Sequence, residues 1–252
     1  MDRLIREAAA LLQNSTFTTA FTGAGISVES GIPPFRGEKG LWNNYDPVCL
    51  DIGYFLAQPE KSWEVIKQIF YDFFGNARPN QAHRVLAEME RRNLLQRIIT
   101  QNIDNLHQEA GSKKVFEFHG NSMKLVCLAC YQEYSFSPAL LEKLPPRCPG
   151  CRGLLKPDFV FFGEPIPQEP LDAAFDAAKK SDVFLIIGST GEVMPASQIP
   201  PLARQHGAKI IEINPQESNY TKSVTHIFLK GKAGAMMEKL AEILFPPSLE
   251  DN

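Results

Sequence analysis

No stretch of this 252-residue chain is apolar for long enough to cross a bilayer: the longest runs, such as residues 183–188, fall far short of the ~20 residues a spanning helix needs. An excess of basic charge is lacking too. Lys and Arg number 26 against 29 Asp and Glu, a net charge of −3, so no field exists to grip a phosphate backbone and direct nucleic-acid binding is not expected. Residues 1–13 intersperse charged and apolar side chains at helical spacing, which is not the pattern of a secretory leader. Cysteine is scarce, with five residues, and without a leader they do not imply a disulfide framework. Repeats and low-complexity segments are missing as well. These absences lead to the expectation of a cytoplasmic protein with no membrane partner, and the 44% hydrophobic and 22% charged composition is that of a globular chain.

What is present is an α/β rhythm. Leu4, Ile5, Ala8, Leu11 and Leu12 share one face, which predicts a helix over residues 2–13. A strand is expected at 17–21, a helix at 82–92, and strands at 94–100 and 115–120. After an interruption come a helix at 171–180, a strand at 182–188, a helix near 196–206, strands at 208–214 and 225–231, and a final helix near 233–244. Short apolar strands alternating with helices predict a doubly wound parallel, Rossmann-like sheet. Residues 1–33, 81–120 and 157–252 are assigned to that nucleotide-binding domain. Residues 34–80, irregular and rich in aromatics, form an expected flexible loop and helical insertion, and residues 121–156 a small zinc-ribbon module.

The zinc reading follows from spacing. Cys127, Cys130, Cys148 and Cys151 lie as Cys-x2-Cys-x17-Cys-x2-Cys, within the range of a four-thiolate site. Four thiolates leave no open coordination position, so the zinc is expected to be structural. Cys49 has no partner in the pattern and reads as a small buried residue.

Two further segments lie where parallel strands are expected to end. Gly23-Ala24-Gly25 follows the first strand; such glycines either let backbone approach a pyrophosphate or merely connect strand to helix, and the third glycine of the usual fingerprint is replaced by Val28. Gln101, Asn102 and Asp104 surround Ile103 after the strand at 94–100, as a helix cap or as a ligand site. His119 ends an apolar strand, either as a structural hydrogen-bonder or as a catalytic group. His83, His107, His206 and His226 read as structural or surface residues.

Together, residues 23–37, 100–107, His119-Gly120, the two cysteine pairs, 156–164, Gly188-Ser189-Thr190 and Ile213-Asn214-Pro215 resemble the sirtuin family in the family's order, over roughly residues 15–240. Sirtuins are NAD-dependent protein-lysine deacylases. The resemblance implies NAD as co-substrate beside the structural Zn2+, with acyl-lysine proteins or peptides as partners. It implies His119 as general base, acting after the acyl oxygen has displaced nicotinamide, to give free lysine and O-acyl-ADP-ribose. It puts Gly23, Ala24 and Gly25 against the cofactor, Ser27, Asn102, Ile103 and Asp104 around its nicotinamide carboxamide, Gln101 on the nicotinamide ribose, and Phe35 and Arg36 in the covering loop. Gly188, Ser189, Asn214, Pro215, Lys232 and Ala233 are implied at the adenosine half. A peptide strand is implied between residues 160–164, read as a strand and including Val160, Phe162, Gly163 and Glu164, and the opposite wall of Gly191, Glu192 and Val193. The acyl chain is expected against Phe35, Ile66, Ile69, Ile103 and Val160, where no Tyr/Arg pair for acidic acyl groups occurs. Pro34 and Gly191-Glu192 depart from the residues many members carry there. An ADP-ribosyltransferase or NAD hydrolase using the same pocket is the alternative. A conventional dehydrogenase would require an acidic ribose-binding residue about 20 positions beyond the glycines, where only Asp46 stands, inside the insertion.

Overall fold

Residues 1–35, Gly37 and residues 40–246 are described in the computed structural model of the chain. Six strands form one parallel sheet: β1 (Thr18–Thr22), β2 (Arg97–Thr100), β3 (Val115–Glu117), β7 (Val183–Ile187), β8 (Lys209–Asn214) and β9 (Ile227–Lys230). Their order is β3-β2-β1-β7-β8-β9. The chain thus winds outward from β1 in one direction, returns to β7 beside it, and winds out the other way. Every residue of β1 and of β7 is buried, as a central strand covered on both faces requires.

Alternation along the strands divides the core between the two faces. Ala20, Ile98, Leu185, Ile187 and Ile211 pack with helices α1 (Asp2–Asn14), α4 (Gln81–Arg91) and α8 (Ala233–Leu244). Phe21, Ile99, Phe184, Ile186 and Ile210 pack with α6 (Gln168–Lys180) and α7 (Ile199–Gln205). Neighbours in sequence therefore serve opposite layers, as the pleat dictates. A short helix, α5 (Leu106–Glu109), follows β2.

The remaining chain builds a second apolar cluster. Helices α2 (Ile52–Ala57) and α3 (Pro59–Ile66) and a π-helical turn over Lys67–Phe73 bury Phe55, Trp63, Ile66, Ile69 and Phe70. The same cluster takes in Leu125, Cys127, Cys148, Leu155 and Phe161 from the cysteine region, and Trp63 Nε1 donates to Leu155 O at 2.9 Å. Helical segment and cysteine region thus share one core. The latter is an antiparallel sheet ordered β5-β4-β6, of β4 (Gly120–Cys127), β5 (Glu133–Ser135) and β6 (Leu155–Phe159).

This corrects one expectation. The strand read at 160–164 is displaced: β6 ends at Phe159, where its pairing with Gly120 of β4 ends. Residues beyond turn away through Gly163, whose φ is +90°, and only Phe162 makes an isolated bridge to Asp51. Pro157 is tolerated in β6 because that strand is at the edge of its sheet. Nearer the amino terminus, Leu4 was expected on the buried face of α1 but is 37% exposed, and Ala9 is buried instead.

His83 and His107 sit under the sheet's carboxyl edge, both buried, with ring centroids 4.9 Å apart. Asn80 N donates to His83 Nδ1, and Thr22 Oγ1, which donates to Thr100 Oγ1, lies 2.9 Å from His107 Nε2. Each ring is thereby neutral, with its proton on Nε2. Burial, then the nearby Arg84, lowers the His83 pKa to about 4; burial and His83 hold His107 well below the usual range. Folded pKa values below the unfolded ~6.5 mean that the unfolded chain binds more protons between them. Stability should therefore fall as pH drops from about 6.5 towards 4, by roughly 2–3 kcal/mol for His83 alone. Urea midpoints measured across that window should show the slope, and His83→Gln, which keeps an acceptor for the Asn80 amide, should flatten it. An unchanged slope in that variant would place the acid sensitivity elsewhere.

Candidate active site

Winding that reverses between β1 and β7 leaves a crevice at their carboxyl ends, the position where open α/β sheets bind ligands. The segments singled out in the sequence all follow strand ends on that edge. Residues 23–27 leave β1, 101–104 leave β2, 188–193 leave β7, Asn214-Pro215 close β8 and Lys232-Ala233 follow β9. His119 lies between β3 and β4.

The glycines have a reason that the sequence does not reveal. A Cβ on Gly25 would stand 2.6 Å from Gly188 Cα, and one on Gly23 would stand 2.8 Å from Gly188 O. Gly25 N donates to Gly188 O at 2.9 Å, and Gly188 itself has φ +66°. Their smallness first serves loop-to-loop packing across the crevice.

Around that contact lies a polar set. Ser27 Oγ donates to Asp104 Oδ2 at 2.6 Å, and Asn102 Nδ2 lies 3.2 Å from both Ser27 Oγ and Gly23 O. Asp104 Oδ1 accepts from Leu106 N, so the carboxylate also ties down the start of α5, one residue ahead of its cap position at Asn105. Burial pushes the Asp104 carboxyl up, against the pull of Ser27, Leu106 N and Asn102. Gln101 spans the crevice, its Nε2 donating to Ser189 Oγ at 2.9 Å.

The backbone carbonyl of Gln101 also lies 3.0 Å from His119 Nδ1. A carbonyl only accepts, so His119 carries its proton on Nδ1 and leaves Nε2 as a lone pair. Burial lowers the pKa of this half-buried ring, partly offset by the Gln101 carbonyl. At neutral pH the ring is therefore a competent base. Gly120 is needed beside it: φ is +78°, and a Cβ would stand 2.2 Å from Asp158 O.

The 160–164 turn is fastened from within. Lys156, 5% exposed, was missed in the sequence; its Nζ donates to Phe159 O at 2.6 Å and Pro157 O at 3.1 Å and pairs with Glu164 Oε2 at 2.9 Å. Glu164 Oε2 also accepts from Phe161 N. The Glu164 side chain is thus occupied in shaping the turn. A lysine directly before proline in an apolar run was the available signal. Phe162 N and O are taken by Leu50 and Ile52, while the residue is 46% exposed. Val160 is half-buried, and Glu192 and Val193 lie in the turn that follows β7. Ile66 and Ile69 have no exposed surface; they sit in the second cluster with Ile103, against which Phe35 packs. Lys232 precedes α8, whose Gly234 N donates to Glu29 Oε2 at 2.6 Å. Arg36 lies outside the described residues.

Away from the crevice, the Sγ atoms of Cys127, Cys130, Cys148 and Cys151 lie within 4.8 Å of one another. Tetrahedral zinc with ~2.3 Å bonds separates its sulfurs by about 3.8 Å, and two of the pairs stand at 3.4 and 3.8 Å. The donor set therefore fits zinc. The Tyr134 hydroxyl, 3.1 Å from Cys148 Sγ, leads the effects that hold that thiol well below its usual range, in favour of the thiolate that binds metal. At Gly153 a Cβ would stand 2.9 Å from Cys127 Sγ, so only glycine lets backbone pass the cluster.

A doubly wound sheet with a polar switch-point crevice and an oriented imidazole, joined to a four-thiolate lobe, defines a nucleotide-dependent enzyme with a structural metal. Comparison with known proteins narrows that class. The Sir2 family model matches residues 23–195, more than half of the chain. An NAD-dependent protein deacylase of Thermococcus kodakarensis is 43% identical over 244 residues, 94% of each chain. An NAD-dependent protein deacetylase of Pyrobaculum aerophilum is 44% identical over 240 residues, again 94% of each. A solved Sir2 structure with p53 peptide and NAD+ superposes with a TM-score of 0.87 at 34% identity, covering 95% of this chain and 98% of the other. The chain belongs to the Sir2 family, the sirtuins.

Zinc binding of roughly 10–16 kcal/mol holds together such small modules. Cys148→Ala should therefore yield protein without zinc and mostly insoluble, as read by metal content and soluble yield. A soluble, metal-free, fully active variant would show the zinc to be dispensable.

Proposed function

We propose that this chain removes acyl groups, acetyl foremost, from lysine side chains of proteins or peptides, with NAD as co-substrate. Family membership and relatives named as NAD-dependent deacylases support the activity, and a neighbour solved with a deacetylated p53 peptide and 3'-O-acetyl ADP-ribose supports both substrate class and product. When bound, NAD supplies an electrophilic ribose carbon with nicotinamide as leaving group. The chain's own residues bind, orient and move the proton.

At the nicotinamide end, Asn102 and Asp104 offer an amide and a carboxyl group to the carboxamide, and Ser27 holds the two in register. Gln101 faces the ribose, and Ser189, Asn214 and the Lys232-Ala233 turn the adenosine half. One observation carries the catalytic reading: the bond between His119 Nδ1 and the Gln101 carbonyl aims a free Nε2 lone pair from the crevice edge. That nitrogen takes the ribose hydroxyl proton. The peptide lies between the 160–164 turn and residues 191–193, and main-chain pairing there suits a substrate chosen chiefly by its modified lysine. Four zinc-binding thiolates need reduced cysteine, which favours a reducing compartment such as the cytoplasm. No helix among the described residues is long and apolar enough to cross a membrane.

His119→Ala should leave NAD binding nearly intact and lower lysine release by about 100-fold or more, the scale of a positioned acid–base group. Nicotinamide release should fall less, because the base acts after that step. Calorimetry and product analysis by mass separate the two; near-normal acyl removal would refute the assignment, and free ADP-ribose without deacylated peptide would favour the hydrolase reading.

Acyl choice follows from charge. Phe35 and Ile103 keep surface to offer an acyl chain, whereas Ile66 and Ile69, expected beside them, are wholly covered inside the same apolar cluster; no arginine lies between Arg36 and Arg78. Lys67, the nearest cation in sequence, is bound to both oxygens of Asp72 at 2.8 and 2.7 Å. An acidic acyl group would bury an unpaired carboxylate at a cost of several kcal/mol. Succinyl peptides should thus show kcat/KM lower than matched acetyl peptides by about 100-fold. Equal or higher values would overturn the neutral-pocket reading.

A further inference from the structure

Glu212 interrupts the apolar run of β8 and is wholly buried. Each of its hydrogen-bond partners is neutral. Oε1 accepts from Asn214 Nδ2 at 2.9 Å, Ser218 Oγ at 2.6 Å and Thr221 Oγ1 at 3.1 Å; Oε2 accepts from Thr221 Oγ1 at 3.0 Å and Thr225 Oγ1 at 2.5 Å. A carboxylate has about four lone-pair sites, so this one is saturated. Three of its four donor residues come from segment 218–225, which cannot shift without stripping a buried charge of its partners.

What that segment holds in place is the turn after β7. Asn214 Nδ2 donates to Ser189 O at 3.1 Å, Asn219 N to Thr190 O at 3.1 Å, and Asn219 Nδ2 to Gly191 O at 3.2 Å. Three consecutive carbonyls of one turn are thus pinned from the Glu212 side. Ser218 Oγ, while donating to Glu212, accepts from Tyr220 N at 3.0 Å. The buried Tyr220 ring lies under Gly191, where a Cβ would stand 2.8 Å from it.

The turn has two functional faces. Ser189 belongs to the adenosine side of the crevice, and residues 191–193 form one wall of the peptide channel. We propose that Glu212 is a positioning residue for both: one buried carboxylate, through segment 214–220, fixes the wall that NAD and the acyl-lysine peptide share. This rests on the site reading given under the proposed function. Glu212 contacts neither substrate, so its loss should act on binding geometry and spare the proton transfer at His119.

The test is steady-state kinetics with NAD and an acetylated peptide varied in turn. Glu212→Gln keeps the shape but replaces one acceptor by a donor. It should raise both KM values together by about 10-fold, as expected when a wall is displaced by a fraction of an ångström, with kcat at saturation within about twofold. Ser218→Ala, which removes one donor and the Tyr220 acceptor, should move both KM values in the same direction to a smaller extent. It also serves if Glu212→Gln does not fold. Ser189→Ala and Val193→Asp probe the walls alone. If those two raise the KM for NAD and for peptide respectively, while folded Glu212→Gln or Ser218→Ala raises neither or only one, the positioning role is overturned. If Ser189→Ala and Val193→Asp change nothing, it is the site reading that fails. A fall in kcat with both KM values unchanged would likewise overturn the proposal.

Discussion

The contact between two backbone turns, Gly23–Gly25 after β1 and Gly188 after β7, sets the geometry on which the site depends. No side chain fits between them: a Cβ on Gly188 would stand 2.3 Å from Ile26 N. With the turns in contact, Gln101 reaches Ser189, and Asn102 reaches Gly23 O and Ser27. Polar side chains from three loops are therefore ordered before any ligand arrives, which reduces what binding must spend on ordering. Sheet winding creates the crevice, and glycine lets its two lips meet.

The second constraint is the union of two insertions in one apolar core. Neither the helical segment nor the cysteine sheet buries a core by itself; Trp63, Phe55 and Ile66 close against Leu125, Leu155 and Phe161. This places the 160–164 turn, fastened by Lys156, beside the strand that begins at Gly120. His119 stands at the junction of the two lobes, its ring tied to the sheet side through Gln101 and its chain continuing into β4. In the proposed function, this junction lets the base meet cofactor from one lobe and peptide from the other.

Buried polar groups recur where loops need fixing. Lys156 ties up two carbonyls and Glu164, Glu212 gathers hydroxyls from one loop, and Asp104 joins Ser27 to the start of α5. Each is costly alone and stable only when its hydrogen bonds are complete. Together they convert irregular segments into rigid walls, which sheet hydrogen bonds cannot do beyond the strand ends.

Much was legible in the sequence because the signals are local. Short, nearly uninterrupted apolar strands alternating with helices specified the doubly wound sheet, and the final helix near 233–244 matches α8. Two Cys-x2-Cys pairs specified a four-thiolate cluster, because the ligands of each pair are neighbours in the chain. Order along the chain located the crevice residues, since each follows a strand. Tertiary structure alone decided the rest. The strand expected at 160–164 gave way to a turn: Val160 N still reaches His119 O, but Phe162 bridges to Asp51 and the chain swings away at Gly163. The glycines after β1 proved to face Gly188, 163 residues from Gly25, a contact no local pattern encodes. Lys156 and Glu212 were silent because a charged residue in an apolar run has meaning only once its partners, brought from other elements, are in place. Sequence determines what each segment prefers to be; folding determines which distant groups share a dry interior, and there a single lysine or glutamate becomes a fixed point.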